Sequence, residues 1–89
     1  MKQELVLLKK QELVLEQETT LKSILLQKMQ EVGINASELD RVVMHCFLSI
    51  DNVLVNTFDR VSKTVFREAL DTLIKVGQKL RILPIVAGG

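Results

Sequence analysis

His45 and Cys46 stand side by side, and they are the single histidine and the single cysteine of the chain. A thiol with a base beside it can serve as a nucleophile. On a helix, however, neighbouring side chains point about 100° apart, so imidazole and thiol do not meet. The pair reads instead as one solvated histidine and one small buried hydrophobe, and no catalytic residue is assigned. Four oxygen donors follow at Asp51, Asn52, Asn56 and Asp59. They lack the glycine-containing loop that wraps calcium, and one His with one Cys falls short of the four ligands of a structural zinc site. Neither metal nor cofactor is expected. Asn52 or Asn56 could instead fix register at a helix seam.

The last third of the chain carries Arg60, Lys63, Arg67, Lys75, Lys79 and Arg81 against only Glu68 and Asp71. These six are the candidate contacts to nucleic-acid phosphate. The whole chain holds 12 Lys plus Arg against 11 Asp plus Glu, a net charge of +1. That is far from the basic footprint of a domain held mainly by phosphates. No recognition-helix signature, aromatic stacking set or glycine-rich phosphate loop accompanies the six. A small transcriptional regulator is therefore the alternative function, not the favoured one. The same region, read as a helix inserting Phe66, Leu70, Leu73 and Leu80 into an anionic bilayer, gives a second alternative, a peripheral membrane protein.

The elements that would position these residues come from the hydrophobic pattern. With 89 residues, 47% hydrophobic and three aromatics, the chain is globular, short and aliphatic inside. A chain this size buries only about 60% of the surface it exposes when unfolded, so a monomer is marginal. A lone cysteine excludes a disulfide scaffold and fits a reducing compartment. No signal-peptide pattern opens the chain, no run reaches the length of a membrane span, and a cytoplasmic location is expected.

The hexamer KQELVL occurs twice, at residues 2–7 and 10–15. Two short apolar runs flanking Lys9 and Lys10 raise the question of a β-hairpin. The adjacent Leu7 and Leu8 break strict alternation, the intervening residues carry no turn former, and the flanks are good helix formers. A helix is predicted over about residues 2–32, and an eight-residue offset turns the two hexamers about 80° apart on it. The duplication then looks incidental. What lines up along such a helix is Leu7, Val14, Leu21, Leu25, Met29 and Val32, flanked by Leu8, Leu15 and Leu26.

Gly33 suits the left-handed position after a helix end, and Asn35 followed by Glu38 resembles a capping box, so a turn is placed at 33–36. From residue 37 to residue 83 the spacing of Leu39, Val43, Cys46, Phe47, Ile50, Leu54, Phe58, Val61 and Val65 predicts further helix, with a break near residue 62 where the apolar face changes direction. Residues 84–89 read as a flexible tail. The expected fold is all-α: one domain over residues 1–83, a long helical hairpin or three-helix bundle assembled as an oligomer with coiled-coil-like packing. Its core or seam is expected at Leu7, Leu21, Leu25, Leu39, Val43, Phe47, Ile50, Leu54, Phe58, Val61 and Leu70.

The expected function is a non-enzymatic adaptor or regulator acting through self-association and helix-in-groove recognition of another protein. Its partner or self-association residues are Leu7, Leu8, Val14, Leu15, Leu21, Leu25, Val43, Phe47, Ile50, Leu54 and Phe58. The exposed partner surface is placed around Leu7 to Leu15.

Overall fold

A computed structural model describes residues 8–85. Within them the chain forms eight strands in three antiparallel sheets, with three short helices. This overturns the all-α, coiled-coil expectation. In place of a helix over residues 2–32 there is a strand, β1 (Gln11–Val14), a two-residue strand, β2 (Thr19–Thr20), and one helix, α1 (Leu21–Glu31). In place of helix over residues 37–83 there is a 3₁₀ turn (Ala36–Glu38) leading into α2 (Leu39–Val43), followed by a largely β segment. That segment comprises β3 (Cys46–Ile50), β4 (Val53–Val55), β5 (Phe58–Asp59), β6 (Thr64–Val65), α3 (Arg67–Leu70), β7 (Leu73–Ile74) and β8 (Lys79–Pro84). Pro84, assigned to the tail, is the last residue of β8; residues 86–89 lie outside the described residues.

Each departure has a local cause. Asp51 and Asn52 both take left-handed backbone conformations, at φ 51° and 69°. Two positive-φ residues between two strands make the mirror-image turn whose twist matches a hairpin, and Asp and Asn tolerate it best after glycine. They join β3 to β4, with Ile50 opposite Val53, Ser49 opposite Leu54 and Leu48 opposite Val55. Gly77, at φ 88°, turns the chain from β7 into β8. Lys63, at φ 56°, lies in the β5–β6 connection, where Asp59 Oδ1 accepts from the Val61 amide at 3.0 Å.

The helix that does form has both ends satisfied. Thr20 caps α1, its Oγ1 accepting from Ser23 N at 3.1 Å. At the other end Gly33 is left-handed, Gly33 N donates to Gln30 O at 3.1 Å and Ile34 N donates to Met29 O at 2.8 Å. This pair of bonds is the glycine-terminated stop that satisfies the last carbonyls of a helix.

The main sheet has the order β1-β8-β3-β4, so β8, last in sequence, sits between β1 and β3. Registers place Leu13 opposite Leu80 and Leu80 opposite Ile50, and Ile82 opposite Leu48. Because side chains alternate across a strand, these residues share the core face. They join Leu21, Ile24, Leu25 and Met29 of α1, Val42 and Val43 of α2, and Leu8, Leu15, Cys46, Leu70 and Ile74 in one cluster. Of the expected core, Leu21, Leu25, Leu39, Val43 and Leu70 are buried, whereas Phe47, Leu54 and Val61 are exposed. Leu7 lies outside the described residues.

Candidate interaction surface

The face of the sheet opposite the core carries Glu12 and Val14 of β1, Lys79, Arg81 and Leu83 of β8, Phe47 and Ser49 of β3, and Leu54 of β4. Its two halves differ in chemistry. On the β1 side Glu12 faces two cations, with Arg81 Nε 3.2 Å from Oε1 and Lys79 Nζ 3.8 Å from Oε2. Arg81 Nε is buried and close to that carboxylate, yet lacks the alignment of a hydrogen bond. On the β4 side the surface is apolar. Phe47 stacks on Phe58 of β5, ring centroids 6.4 Å apart at 28°. Leu54, diagonal to Phe47 across the hairpin, closes a shallow cleft of about 110 Å³ with Phe47, Phe58 and Arg60.

β4 ends the sheet, and none of the described residues pairs with its far side. Val53 is 69% exposed and Leu54 61%, and Phe47 behind them is 38% exposed. Natural edge strands carry lysine, proline, a bulge or a cover against pairing. β4 is short, but its residues are Val, Leu and Val, flanked by Asn52 and Asn56, with no charge. An apolar edge continuous with an exposed apolar face can accept another strand.

The proposed association residues are thereby redistributed. Leu8, Leu15, Leu21, Leu25 and Val43 are buried inside the one chain, Ile50 and Phe58 pack partly against that core, and Leu7 falls outside the described residues. Val14, Phe47 and Leu54 are exposed, all on the outer face of the sheet. At the surface of the described residues, Phe47, Leu54 and Phe58 are the ones that come together. The signal in the sequence is Asp51-Asn52 between two short apolar runs, CFLSI and VLV, which marks a hairpin and puts Phe47 and Leu54 on one face.

The six cations do not form one surface. Arg60 and Lys63 flank Val61, 93% exposed, at the tip of the β5–β6 hairpin. Arg67 leads α3 and pairs with Asp40 at 2.6 Å, while Lys79 and Arg81 share Glu12. Lys75 lies by the β7–β8 turn, its amide donating to Gln78 Oε1 at 2.8 Å. Nor do Phe66, Leu70, Leu73 and Leu80 share a helix face: Leu70 and Leu80 are in the core, while Phe66 and Leu73 are exposed on other elements.

His45 and Cys46 do not form a reactive pair either. His45 Nδ1 lies 2.7 Å from Arg41 O. Cys46 is wholly buried, and burial pushes its thiol up to about 11, with a hydrogen bond from the Leu8 backbone pulling the other way. A nucleophilic cysteine needs a lowered pKa and access. No group of three or more His, Cys, Asp or Glu among the described residues could hold a metal ion. Among those residues no helix is long and apolar enough to cross a membrane.

No family model matches the chain, and no curated protein or solved structure shows significant similarity to it.

Proposed function

We propose that this chain is a small non-enzymatic protein–protein interaction module that associates with a second copy of itself through β4 and the Phe47–Leu54–Phe58 face. The observation that carries this reading is the uncharged, exposed β4 edge lying beside an exposed aromatic pair. The choice of partner rests on the sequence of that edge. NVLVN, residues 52–56, reads the same in both directions. Antiparallel pairing about a two-fold axis at Leu54 sets Val53 against Val55 of the second copy and Leu54 against its own equivalent. Like side chains meet like, no charge is buried, and an isologous contact closes at two. The Leu54 pair would bring both Phe47–Phe58 stacks to one continuous outer surface.

Helix-in-groove presentation finds no support in α1, whose Leu21, Ile24, Leu25 and Met29 are already committed to the core. A sheet edge takes over that role. The nucleic-acid alternative keeps only Arg60 and Lys63 at one exposed tip and Lys75 apart from them by the β7–β8 turn, because Arg67, Lys79 and Arg81 each face a carboxylate.

The test is absolute mass by light scattering across a concentration series. The wild type should move from one copy to two, and Leu54→Lys should remain at one copy with an unchanged circular dichroism spectrum. A wild type that stays at one copy throughout would overturn the proposal. So would a dimer that persists in Leu54→Lys.

A further inference from the structure

The cleft beside β4 carries a chemistry that strand pairing does not use. Asn56 and Thr57 link β4 to β5 and bring Phe58 back to β3, where its ring stacks on Phe47. Phe66 N fixes this link by donating to Thr57 O at 2.8 Å. Phe47, Leu54 and Phe58 give the cleft apolar walls, and two polar groups share it with them. Thr57 lines it while only 2% exposed, and its hydroxyl has no hydrogen-bond partner among the described residues. Arg60 is exposed at the same cleft and forms no ion pair among the described residues. Asp59, next to it in sequence, has its Oδ1 engaged by the Val61 amide at 3.0 Å. A polar group so nearly buried ordinarily has a hydrogen-bond partner. A ligand offering acceptors to both Thr57 and Arg60 would supply it.

We infer that the cleft is a binding site for a small aromatic carboxylate: one planar ring with a single negative charge a bond or two away. Volume selects the ring. A closed cavity of about 150 Å³ holds benzene, so an open cleft of about 110 Å³ takes one ring with its edge showing. The walls select an aromatic body over an aliphatic one, because rings pack on rings with a gain beyond the area they bury. Charge selects the head group. One guanidinium matches one carboxylate in a forked pair, and the Thr57 hydroxyl can donate to the same group. A phosphate monoester would bring about two charges to a single cation. The inference goes beyond the self-association proposed above and does not rest on it. The lining residues all belong to one chain, and pairing at β4 extends the sheet in its own plane, leaving the outer face open.

The test is a titration of the amide chemical shifts of isotope-labelled protein, at fixed protein concentration, with phenylacetate, its uncharged isostere phenylacetamide, and acetate. A ligand of about ten non-hydrogen atoms in so open a site binds in the millimolar range. Phenylacetate should give saturable shifts concentrated on Phe47, Leu54, Thr57, Phe58 and Arg60. Phenylacetamide should bind about tenfold more weakly, because it loses the charge-assisted bonds to Arg60. Acetate should give no saturable shifts there, because it lacks the ring. Arg60→Gln should remove the preference for phenylacetate over phenylacetamide, and Thr57→Val should weaken phenylacetate several-fold, each with an unchanged circular dichroism spectrum. Equal affinity of the wild type for phenylacetate and phenylacetamide would overturn the inference. So would a preference that survives Arg60→Gln, saturation at other residues, or no saturation up to about 50 mM phenylacetate. The mass series decides the pairing at β4 separately, so either proposal can fail alone.

Discussion

Asp51 does two things at one position. Its backbone is left-handed, and its carboxylate ties the β3–β4 turn to the start of β8, Oδ1 accepting from Lys79 N at 2.9 Å and Oδ2 from Gln78 Nε2 at 3.1 Å. Two substitutions separate these roles. Asp51→Gly keeps the conformational freedom and loses the carboxylate, which costs about 1–2 kcal/mol in urea unfolding because a charged acceptor is removed. Asp51→Ala loses both and should be a further 1 kcal/mol or so less stable. Equal losses in the two variants would mean that the positive φ carries no cost here. Cys46 makes a prediction about pH. Its thiol titrates near 9 when unfolded and is raised to about 11 in the fold. Between those values the unfolded chain releases a proton that the folded chain retains, so stability falls as pH rises from 9 to 11, by up to about 2–3 kcal/mol. Below pH 9 both states hold the proton and the effect vanishes. The comparison of wild type with Cys46→Ala at pH 8 and pH 11 isolates it: the gap between the two should shift in favour of the variant at the higher pH.

At the scale of elements, what could be read from the sequence was where a helix stops and which of its residues go inside. Gly33 ends α1 and Leu21, Leu25 and Met29 are fully buried, because spacing by four and a terminal glycine act within one element. The Thr20 cap belongs to the same local chemistry, and Thr20→Ala should lower stability by about 1 kcal/mol, read from the urea midpoint at constant slope. The strands were not legible for a physical reason. QELV and CFLSI are short apolar runs in which the three- and four-residue spacings of a helix and the two-residue alternation of a strand overlap. What decides between them is a distant partner: β1 pairs with β8, almost seventy residues later, and β3 pairs with it too. The candidate surface was half legible. Phe47, Leu54 and Phe58 were singled out as association residues, but as members of a helical stripe. The hairpin at Asp51 and Asn52, which places Phe47 and Leu54 on the open face of a sheet, is hidden in the sequence because the two residues read equally well as oxygen donors on a helix.

The topology of the whole molecule makes β8 the strand on which the others depend. It receives β1 from the start of the described chain on one side and β3 from the middle on the other, so the sheet closes only when the end of the chain is in place. Ile82 sits at the centre of that arrangement, wholly buried, opposite both Gln11 and Leu48. A domain of this size is stable by only about 5–15 kcal/mol, and truncating a buried isoleucine costs about 2–5 kcal/mol. Ile82→Ala should therefore remove a large share of the total. The loss should fall on the whole fold rather than on one edge, because β1 and β3 do not pair with each other and each pairs with β8. Two probes can be followed in one urea titration: far-ultraviolet circular dichroism for the backbone, and labelling of the buried Cys46 thiol for access to the end of β3. In wild type and in Ile82→Ala the two should share a midpoint, shifted together to lower urea in the variant. Labelling that runs ahead of the loss of secondary structure would show β3 opening independently of β8, and the central strand would not then be what makes the sheet cooperative.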